Sequence, residues 1–346
     1  MAERVGGHLP FITLAYGMGT VLVVFGHSHP LHCDYPILLE RIINFVYVFH
    51  MPLFFMIAGI LIRNNRSARP NIMTWWLKKV RKLIVPYLVL TLAAVIPKFM
   101  LGSIMNDDME LSVANILKII FMPRHSIWGH FWFIPVFLFL ELIGMGFNQL
   151  ERGLEERGKF VLVHVIELVG ASIGIYLTCC PIEIEWFGVS DICKELVYVL
   201  IGIFTCKYFI ERGVFDSLNK TMIAISLILS IIFFVNFKGI LWEKAISFLM
   251  IYFIIGLSII LCQLCENAIN TMLKVIGTRA FTIYIYSWPI QAVVEIVLVL
   301  KLNMPWQVVT SVLFVCGLFG PIIIYEVGSN LLQNSKFISV MIGKSR

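Results

Sequence analysis

The most informative segment of the chain runs from Ile37 to Ile62 and reads ILLERIINFVYVFHMPLFFMIAGILI. After Arg41 it contains no Asp, Glu, Lys or Arg. A helix needs about 20 mostly apolar residues to cross a bilayer. Within the bilayer a helix satisfies its own backbone polar groups, which lipid cannot do. We therefore predict a transmembrane helix here.

Segments of the same character recur along the whole chain. Of its 346 residues, 59% are hydrophobic and 14% are charged, against about 25% charged residues in soluble domains. The sequence predicts an all-α integral membrane protein with about ten transmembrane helices in one bundle, forming a single polytopic domain over residues 1–346. The ten predicted segments are Pro10–Gly26, Ile37–Ile62, Val80–Leu101, His130–Leu150, Phe160–Thr178, Ile192–Ile210, Met222–Phe237, Ala245–Leu264, Ala280–Leu300 and Trp306–Leu332.

The distribution of basic residues predicts the orientation. With the N-terminus inside, 19 of the 27 Lys and Arg residues fall on the inner side. Cytoplasmic loops carry such an excess, so we expect both termini in the cytoplasm. Four tryptophans lie near outer boundaries, as in an aromatic belt: Trp128, Trp186, Trp242 and Trp306. The largest inner cluster comprises Arg63, Arg66, Arg69, Lys78, Lys79, Arg81 and Lys82.

One outer segment fits neither a loop nor a span. Its apolar residues recur at helical spacing, which predicts a short amphipathic helix at the outer surface. These residues are Val113, Ile116, Leu117, Ile120 and Phe121.

The eight cysteines do not suggest a metal site. Cys262 and Cys265 form a CxxC pair without a second pair, so we expect no bound metal. A net charge of +6 gives no reason to expect a nucleic-acid partner. Outer cysteines that could form a disulfide or remain free are Cys33, Cys179, Cys180 and Cys193.

Ionisable residues inside predicted spans are candidates for chemistry because burying them in lipid is costly. About half of such groups are expected only to hydrogen-bond between helices. The candidates are His27, His50, His130, Glu141, His164, Glu167, Glu295 and Glu326.

His27 is the strongest of these candidates. It follows the first helix in the motif GHSHP, about 17 residues or about 25 Å from the inner boundary at 1.5 Å per residue. That position lies in the outer part of the bilayer. A histidine accepts a proton near neutral pH and suits a general base. An interfacial histidine without a chemical role explains the position equally well.

Two further clusters are less specific. Pro52, in the motif FHMPLFFMIAG, should kink its helix, while Ala58 and Gly59 allow close helix approach. Arg81 and Lys82 form a basic edge before the helix containing Pro86. Packing and inner-surface anchoring account for these two patterns without any catalytic role.

Five motifs occur in a characteristic order: GHSHP, FHMPLFFMIAGIL, RKLIVPYL, HFWFIP and GTRAFTIYIYSWP. In these the chain resembles the membrane acyltransferase-3 family, especially its compact branch of fucose 4-O-acetylases and related sugar O-acetyltransferases. The resemblance covers most of the chain, from Gly26 to Pro289. It implies ten helices, an acyl-CoA donor reached from the cytoplasm and a glycan acceptor outside.

The resemblance also assigns individual residues. His27 matches the family's essential histidine, Arg81 matches a basic residue of the third-helix motif, and His130 with Trp132 match the H-x-W-F signature. There are two departures. Tyr16 stands where the family usually has Arg or Lys, which leaves donor binding by the first helix unsupported. Ser287 and Trp288 precede the late proline where a histidine is common, which implies an atypical acceptor or reduced activity.

The sequence thus predicts a multi-pass O-acyltransferase of the cytoplasmic membrane. It is expected to move an acyl group, most simply acetyl, from acetyl-CoA to a hydroxyl of a cell-surface or lipid-linked saccharide, with membrane lipid around it. A glycan or lipid transporter or flippase with the same helical cavity is the alternative. The expected site residues are His27 and His130 for catalysis, Arg81, Lys82 and Arg279 for the donor, and His50, Trp132, Glu141 and Glu295 for the acceptor or cavity.

The charge distribution generates a first prediction. Reporter fusions to the C-terminus should report a cytoplasmic location, and reduced Cys33 should react with an impermeant thiol reagent in intact cells. Permeabilised cells provide the control for total reactivity. An external C-terminal reporter would be incompatible with the ten-helix arrangement.

Overall fold

The structure is a computed structural model, and it describes residues 9–65, 71–101, 117–118, 121–125, 129–180, 182–214, 220–264, 266–331 and 341. All regular secondary structure in these ranges is helical, which confirms the all-α prediction. Of the predicted outer amphipathic helix, only Leu117 and Phe121 fall within the described residues. Four other residues named above lie outside the described residues: Arg66, Arg69, Trp128 and Cys265.

Eleven α-helices are present in the described residues. The turns Pro123–His125, Gly129–Trp132 and Trp186–Gly188 are 3-10 helices, and the π-helical turns Cys206–Ile210 and Ile296–Lys301 extend two of the α-helices. The α-helices are α1 (Pro10–Gly26), α2 (Ile37–Asn64), α3 (Ile72–Leu101), α4 (Phe133–Glu156), α5 (Phe160–Cys179), α6 (Val189–Thr205), α7 (Lys220–Asn236), α8 (Ile240–Gln263), α9 (Ala268–Thr278), α10 (Ala280–Glu295) and α11 (Trp306–Leu331).

Six helical segments among the described residues are long and apolar enough to cross a membrane. Two shorter apolar helices, α1 and α7, have 17 residues each. A multi-pass membrane protein is therefore supported, while the number ten and the cytoplasmic termini stay predictions. The six segments are Ile37–Asn64, Gly129–Glu156, Phe160–Cys179, Ile240–Gln263, Ala280–Lys301 and Trp306–Asn330.

The chain divides into two compact units. The first unit comprises Met1–Phe54 and Tyr208–Gly343, and the second comprises Phe55–Lys207 with Lys344–Arg346. In the first unit α1 packs against α8, α9 and α10, α7 against α8, and α10 against α11. In the second unit α4 packs against α3, α5 and α6.

Helix α9 is an element that the sequence analysis did not predict. Its 11 residues are too few to cross a bilayer. The Asn267 side chain accepts a hydrogen bond from the Asn270 N–H at 2.8 Å and caps the first turn, which stabilises a helix start. Glycine allows α9 to approach α1 closely, because a Cβ on Gly277 would lie 2.0 Å from the Thr13 carbonyl oxygen.

Buried charges hold the second unit together. The Lys207 ammonium donates to Glu151 at 2.8 Å and to Glu167 at 2.5 Å, and lies 3.0 Å from Glu155. Arg63 is buried and lies 3.7 Å from Glu151. Buried charges are costly unless paired, so this network joins α2, α4 and α5 to the π-helical turn after α6. As members of this network, Arg63 and Glu167 stabilise the packing of helices in the second unit.

Glycine also allows α2 and α6 to meet. A Cβ on Gly59 would lie 2.1 Å from the Val199 carbonyl oxygen, and a Cβ on Gly202 would lie 2.2 Å from the Met56 carbonyl oxygen. Such distances leave no room for a methyl group. The close helix approach expected at Gly59 is confirmed.

We predict that Gly202→Ala lowers the stability of the second unit. Overpacking of this kind typically costs about 1–3 kcal/mol, and thermal unfolding of the detergent-solubilised protein measures the loss. Gly146→Ala is the matched control, because a Cβ there meets nothing within 4 Å. Equal midpoints for the two variants would contradict a required close approach.

Candidate active site

His27 lies where α1 ends. Its backbone N–H donates to the Val23 carbonyl at 3.2 Å, and its φ and ψ of −94° and 5° form the C-cap. The side chain is half-buried. The segment from residue 27 to residue 36 forms no helix, so tertiary contacts determine its path.

Aromatic side chains surround the His27 ring. The Trp288 ring of α10 meets it edge-on at 5.2 Å between centroids, and the Tyr47 ring of α2 lies at 5.9 Å. The centroid of the His50 ring in turn lies 5.2 Å from that of the Tyr47 ring. The structure therefore brings three helices of the first unit together in what we term the His27 cluster: His27, Tyr47, His50 and Trp288.

Tyr47 fixes the end of α1 to α2. Its hydroxyl donates to the Gly26 carbonyl at 2.7 Å, and the His29 Nδ1–H donates to the same carbonyl at 2.9 Å. A Cβ on Gly26 would lie 2.7 Å from the Tyr47 ring, which explains the glycine of the GHS motif. Sequence reasoning missed Tyr47, although its position three residues before His50 places both on one face of α2.

The predicted acceptor or cavity residue His50 has a defined tautomer when neutral. Its Nδ1 lies 2.9 Å from the Val46 carbonyl oxygen, and a carbonyl only accepts, so Nδ1 carries the proton. The neutral ring then leaves Nε2 as an acceptor. The residue is buried, and it can accept a hydrogen bond within the His27 cluster.

Two polar residues of α10 hold the chain beyond His27. Gln291, which sequence reasoning missed, donates through Nε2 to the Ser28 hydroxyl at 3.0 Å. The Glu295 carboxylate, a predicted acceptor or cavity residue, accepts the Leu31 N–H at 2.5 Å. Both side chains are buried. Glu295 is recognisable in the sequence as an ionisable residue within a predicted span, whereas the amide of Gln291 is neutral and gives no such signal.

His130 and Trp132 lie in the second unit, in the 3-10 turn before α4. The His130 ring meets Phe131 at 4.4 Å. The Arg124 guanidinium lies 4.2 Å from the Trp132 ring centroid. Arg124 also donates to both carboxylate oxygens of Asp191, at 2.8 and 2.7 Å. This stacked and bidentate arrangement was not predicted from the sequence.

Glu141, the remaining predicted cavity residue, forms an ion pair within the second unit. Its Oε1 accepts from the Lys79 ammonium at 2.7 Å, and the buried Oε2 has no hydrogen-bond partner within the described part of the chain. Lys79 also lies 5.5 Å from the Trp75 ring centroid. Lys79 is thus the member of the basic cluster that neutralises Glu141.

The predicted donor-binding residues occupy both units. On α3, Arg81 is exposed and Lys82 is half-buried. Arg81 lies three residues after Lys78 and Lys82 lies four residues after it, so all three share one helix face. Arg279, in the first unit, forms an ion pair with Glu326 and stacks on Tyr325 at 5.0 Å.

The departures from the family motifs have clear positions. Tyr16 packs against Phe54, with ring centroids 5.6 Å apart. Ser287 is buried. Trp288, which stands where the family often has a histidine, contacts His27 directly.

No group of three or more His, Cys, Asp or Glu that could hold a metal occurs among the described residues. The absence of a metal from the reaction stays a prediction.

Comparison with known proteins gave one match. A family model described as "Acyltransferase domain" matches residues 9–326, nearly the whole chain. Searches of curated proteins and of solved structures gave no match. The matched range includes the His27 cluster and every predicted site residue.

Proposed function

The chain belongs to the acyltransferase-3 family and is a membrane acyltransferase, and we propose that it transfers acetyl from cytoplasmic acetyl-CoA to a hydroxyl of a cell-surface or lipid-linked saccharide. The observation that carries this proposal is the position of His27, half-buried at the end of α1 between Tyr47 and Trp288. The motif resemblance to sugar O-acetyltransferases supports the saccharide acceptor and location in the cytoplasmic membrane.

His27 acts as the general base in this proposal. The neutral imidazole removes the proton from the acceptor hydroxyl while the hydroxyl oxygen attacks the thioester carbonyl. The tetrahedral intermediate collapses, the carbon–sulfur bond breaks and the CoA thiolate leaves. The imidazolium then returns its proton to that thiolate, which yields the ester and free CoA.

The aromatic surroundings of His27 support transfer over hydrolysis. The ring centroids of Tyr47 and Trp288 lie 5.9 and 5.2 Å from that of the imidazole. A site that excludes water protects a reactive acyl group from hydrolysis. His50, with its acceptor nitrogen, is proposed to line the same cavity.

The donor phosphates are proposed to bind Arg81 and Lys82. A guanidinium offers bidentate hydrogen bonds to phosphate, and Arg81 is exposed on a face shared with Lys78. The ion pair of Arg279 with Glu326 makes Arg279 the second choice, because phosphate would compete with that carboxylate.

Trp132 is proposed to contact the acceptor. A sugar ring presents an apolar C–H face and a polar edge, which suits an aromatic side chain bordered by hydrogen-bonding groups. Arg124 provides such a group beside Trp132: its guanidinium stacks on the Trp132 ring and donates two hydrogen bonds to Asp191. Glu141 is proposed to line the cavity, and His130 is the second candidate base.

His27→Ala should insert and fold normally but lose about 100-fold or more of its transfer rate, the usual scale of general-base catalysis. His27→Gln should be nearly as inactive, because glutamine hydrogen-bonds without taking up a proton. A transfer assay with labelled acetyl-CoA, on membranes matched for expression, measures both variants. His164→Ala, which removes an exposed imidazole, is the control, and His29→Ala should have a smaller effect than His27→Ala.

Two outcomes would overturn the assignment. High activity in His27→Ala would place the base elsewhere, with His130 next. Changed glycan binding or flux without any acyl transfer would support the transporter alternative.

Arg81→Ala should raise the KM for acetyl-CoA and leave kcat nearly unchanged, because a phosphate contact is present in both ground and transition states. The loss of one charged hydrogen bond is worth roughly 1.5–3 kcal/mol, or about 10- to 150-fold in KM. Steady-state kinetics measures the change, with the exposed Arg157→Ala as control. An unchanged KM in a folded Arg81→Ala protein would indicate that Arg279, not Arg81, binds the donor phosphates.

A further inference from the structure

One face of α10 contacts the segment that follows α1. Trp288, Gln291 and Glu295 are spaced by three and four residues, so they lie on one side of the helix. In chain order they contact His27, Ser28 and the Leu31–His32 backbone. The helix therefore contacts His27 and holds the chain after it.

Gln291 provides the middle contact. Its Nε2 donates to the Ser28 hydroxyl at 3.0 Å and lies 3.3 Å from the carbonyl oxygens of Val24 and Leu313. Carbonyls only accept, so these neighbours fix the orientation of the amide. The amide is also enclosed, because a Cβ on Gly317 would lie 2.6 Å from Nε2.

Glu295 provides the last contact. Its Oε1 accepts the Leu31 N–H at 2.5 Å and the His32 N–H at 3.1 Å, and the His32 Nδ1 lies 3.1 Å away. The carboxylate is buried. Leu31 and His32 are exposed, so the buried carboxylate oxygen ties the backbone of this exposed segment to α10.

We infer that Glu295 is a positioning residue: by binding the backbone N–H groups of Leu31 and His32, it holds the segment that fixes His27 against Tyr47 and Trp288. This inference rests on the proposed function of His27 as the base. A misplacement of about 1 Å at a reacting group can cost about 100-fold in rate. Glu295 need not touch the acceptor to affect transfer.

A positioning role differs from an acid–base or acceptor-binding role in one testable respect. Oε1 acts as a hydrogen-bond acceptor for N–H groups, and a glutamine carbonyl accepts in the same way. Glutamine carries no negative charge and takes up no proton at neutral pH. Substitution of Glu295 by glutamine therefore separates the two roles.

The experiment compares Glu295→Gln with Glu295→Ala in membranes containing the full chain. We expect Glu295→Ala to lower kcat by about 10- to 100-fold with little change in the KM for acetyl-CoA, because the base is misplaced. We expect Glu295→Gln to keep kcat within about threefold of the original, since the acceptor remains. Glu266→Gln, at an exposed residue paired with Lys274, is the control and should not change kcat.

Alkylation of Cys33 supplies a readout that does not need activity. Cys33 follows His32 and packs against Val299, Val309 and Leu313. Burial, together with the charges of Glu295 and Asp34, raises the pKa of the Cys33 thiol. Both Glu295 variants remove the same charge, but only Glu295→Ala releases the backbone. We expect faster alkylation in Glu295→Ala than in Glu295→Gln, measured by mass spectrometry of the Cys33 peptide in permeabilised membranes.

Each outcome bears on one claim. Equal inactivity of the Glu295→Gln and Glu295→Ala variants would make the carboxylate charge itself essential and would overturn the positioning role. Full activity of Glu295→Ala, or equal Cys33 alkylation in the two variants, would also overturn it. High activity of His27→Ala would instead overturn the proposed function, and the alkylation comparison would still report whether Glu295 holds the segment.

Discussion

Every backbone N–H and C=O group away from water needs a partner, and hydrocarbon supplies none. Helices satisfy this requirement within themselves, but α1 ends at Gly26. Side chains from α2 and α10 then supply partners: Tyr47 binds the Gly26 carbonyl, which has lost its helical donor, and Glu295 binds the Leu31 N–H in the segment that follows. Tyr47 also contacts the His27 ring, so the candidate base depends in part on a contact that satisfies the backbone.

Buried charges impose a related requirement in the second unit. Lys207 contacts three carboxylates, and Lys79 contacts Glu141. A lone buried charge would be costly, whereas a paired one fixes its neighbours in place. Ionisable residues in spans thus differ in role: Glu167 joins helices through Lys207, whereas His27 has aromatic neighbours and remains partly exposed.

The sequence predicted the helical class correctly, because that class depends on the length of apolar segments. It singled out His27 by a short motif, and the role of His27 stays a prediction. It did not predict α9, whose formation depends on the cap at Asn267. It also missed Tyr47 and Gln291, because neutral polar side chains are common and only tertiary contacts reveal their role. The pairing of Lys79 with Glu141, 62 residues apart, depends on helix packing, which hydrophobic periodicity does not specify.

The tryptophan at position 288 shows how the cluster differs from the common family pattern. Histidine accepts a proton, while the tryptophan indole only donates a hydrogen bond. Among the four members of the His27 cluster, the imidazoles of His27 and His50 are therefore the side chains with a ring nitrogen that can accept a proton. His50 points its Nδ1 proton at the Val46 carbonyl and is buried, whereas His27 is half-buried at the end of its helix. A substrate hydroxyl needs an accessible base, so this difference in exposure favours His27 over His50. In the proposed mechanism Trp288 contributes an apolar edge to the site, and His27 is the proton acceptor.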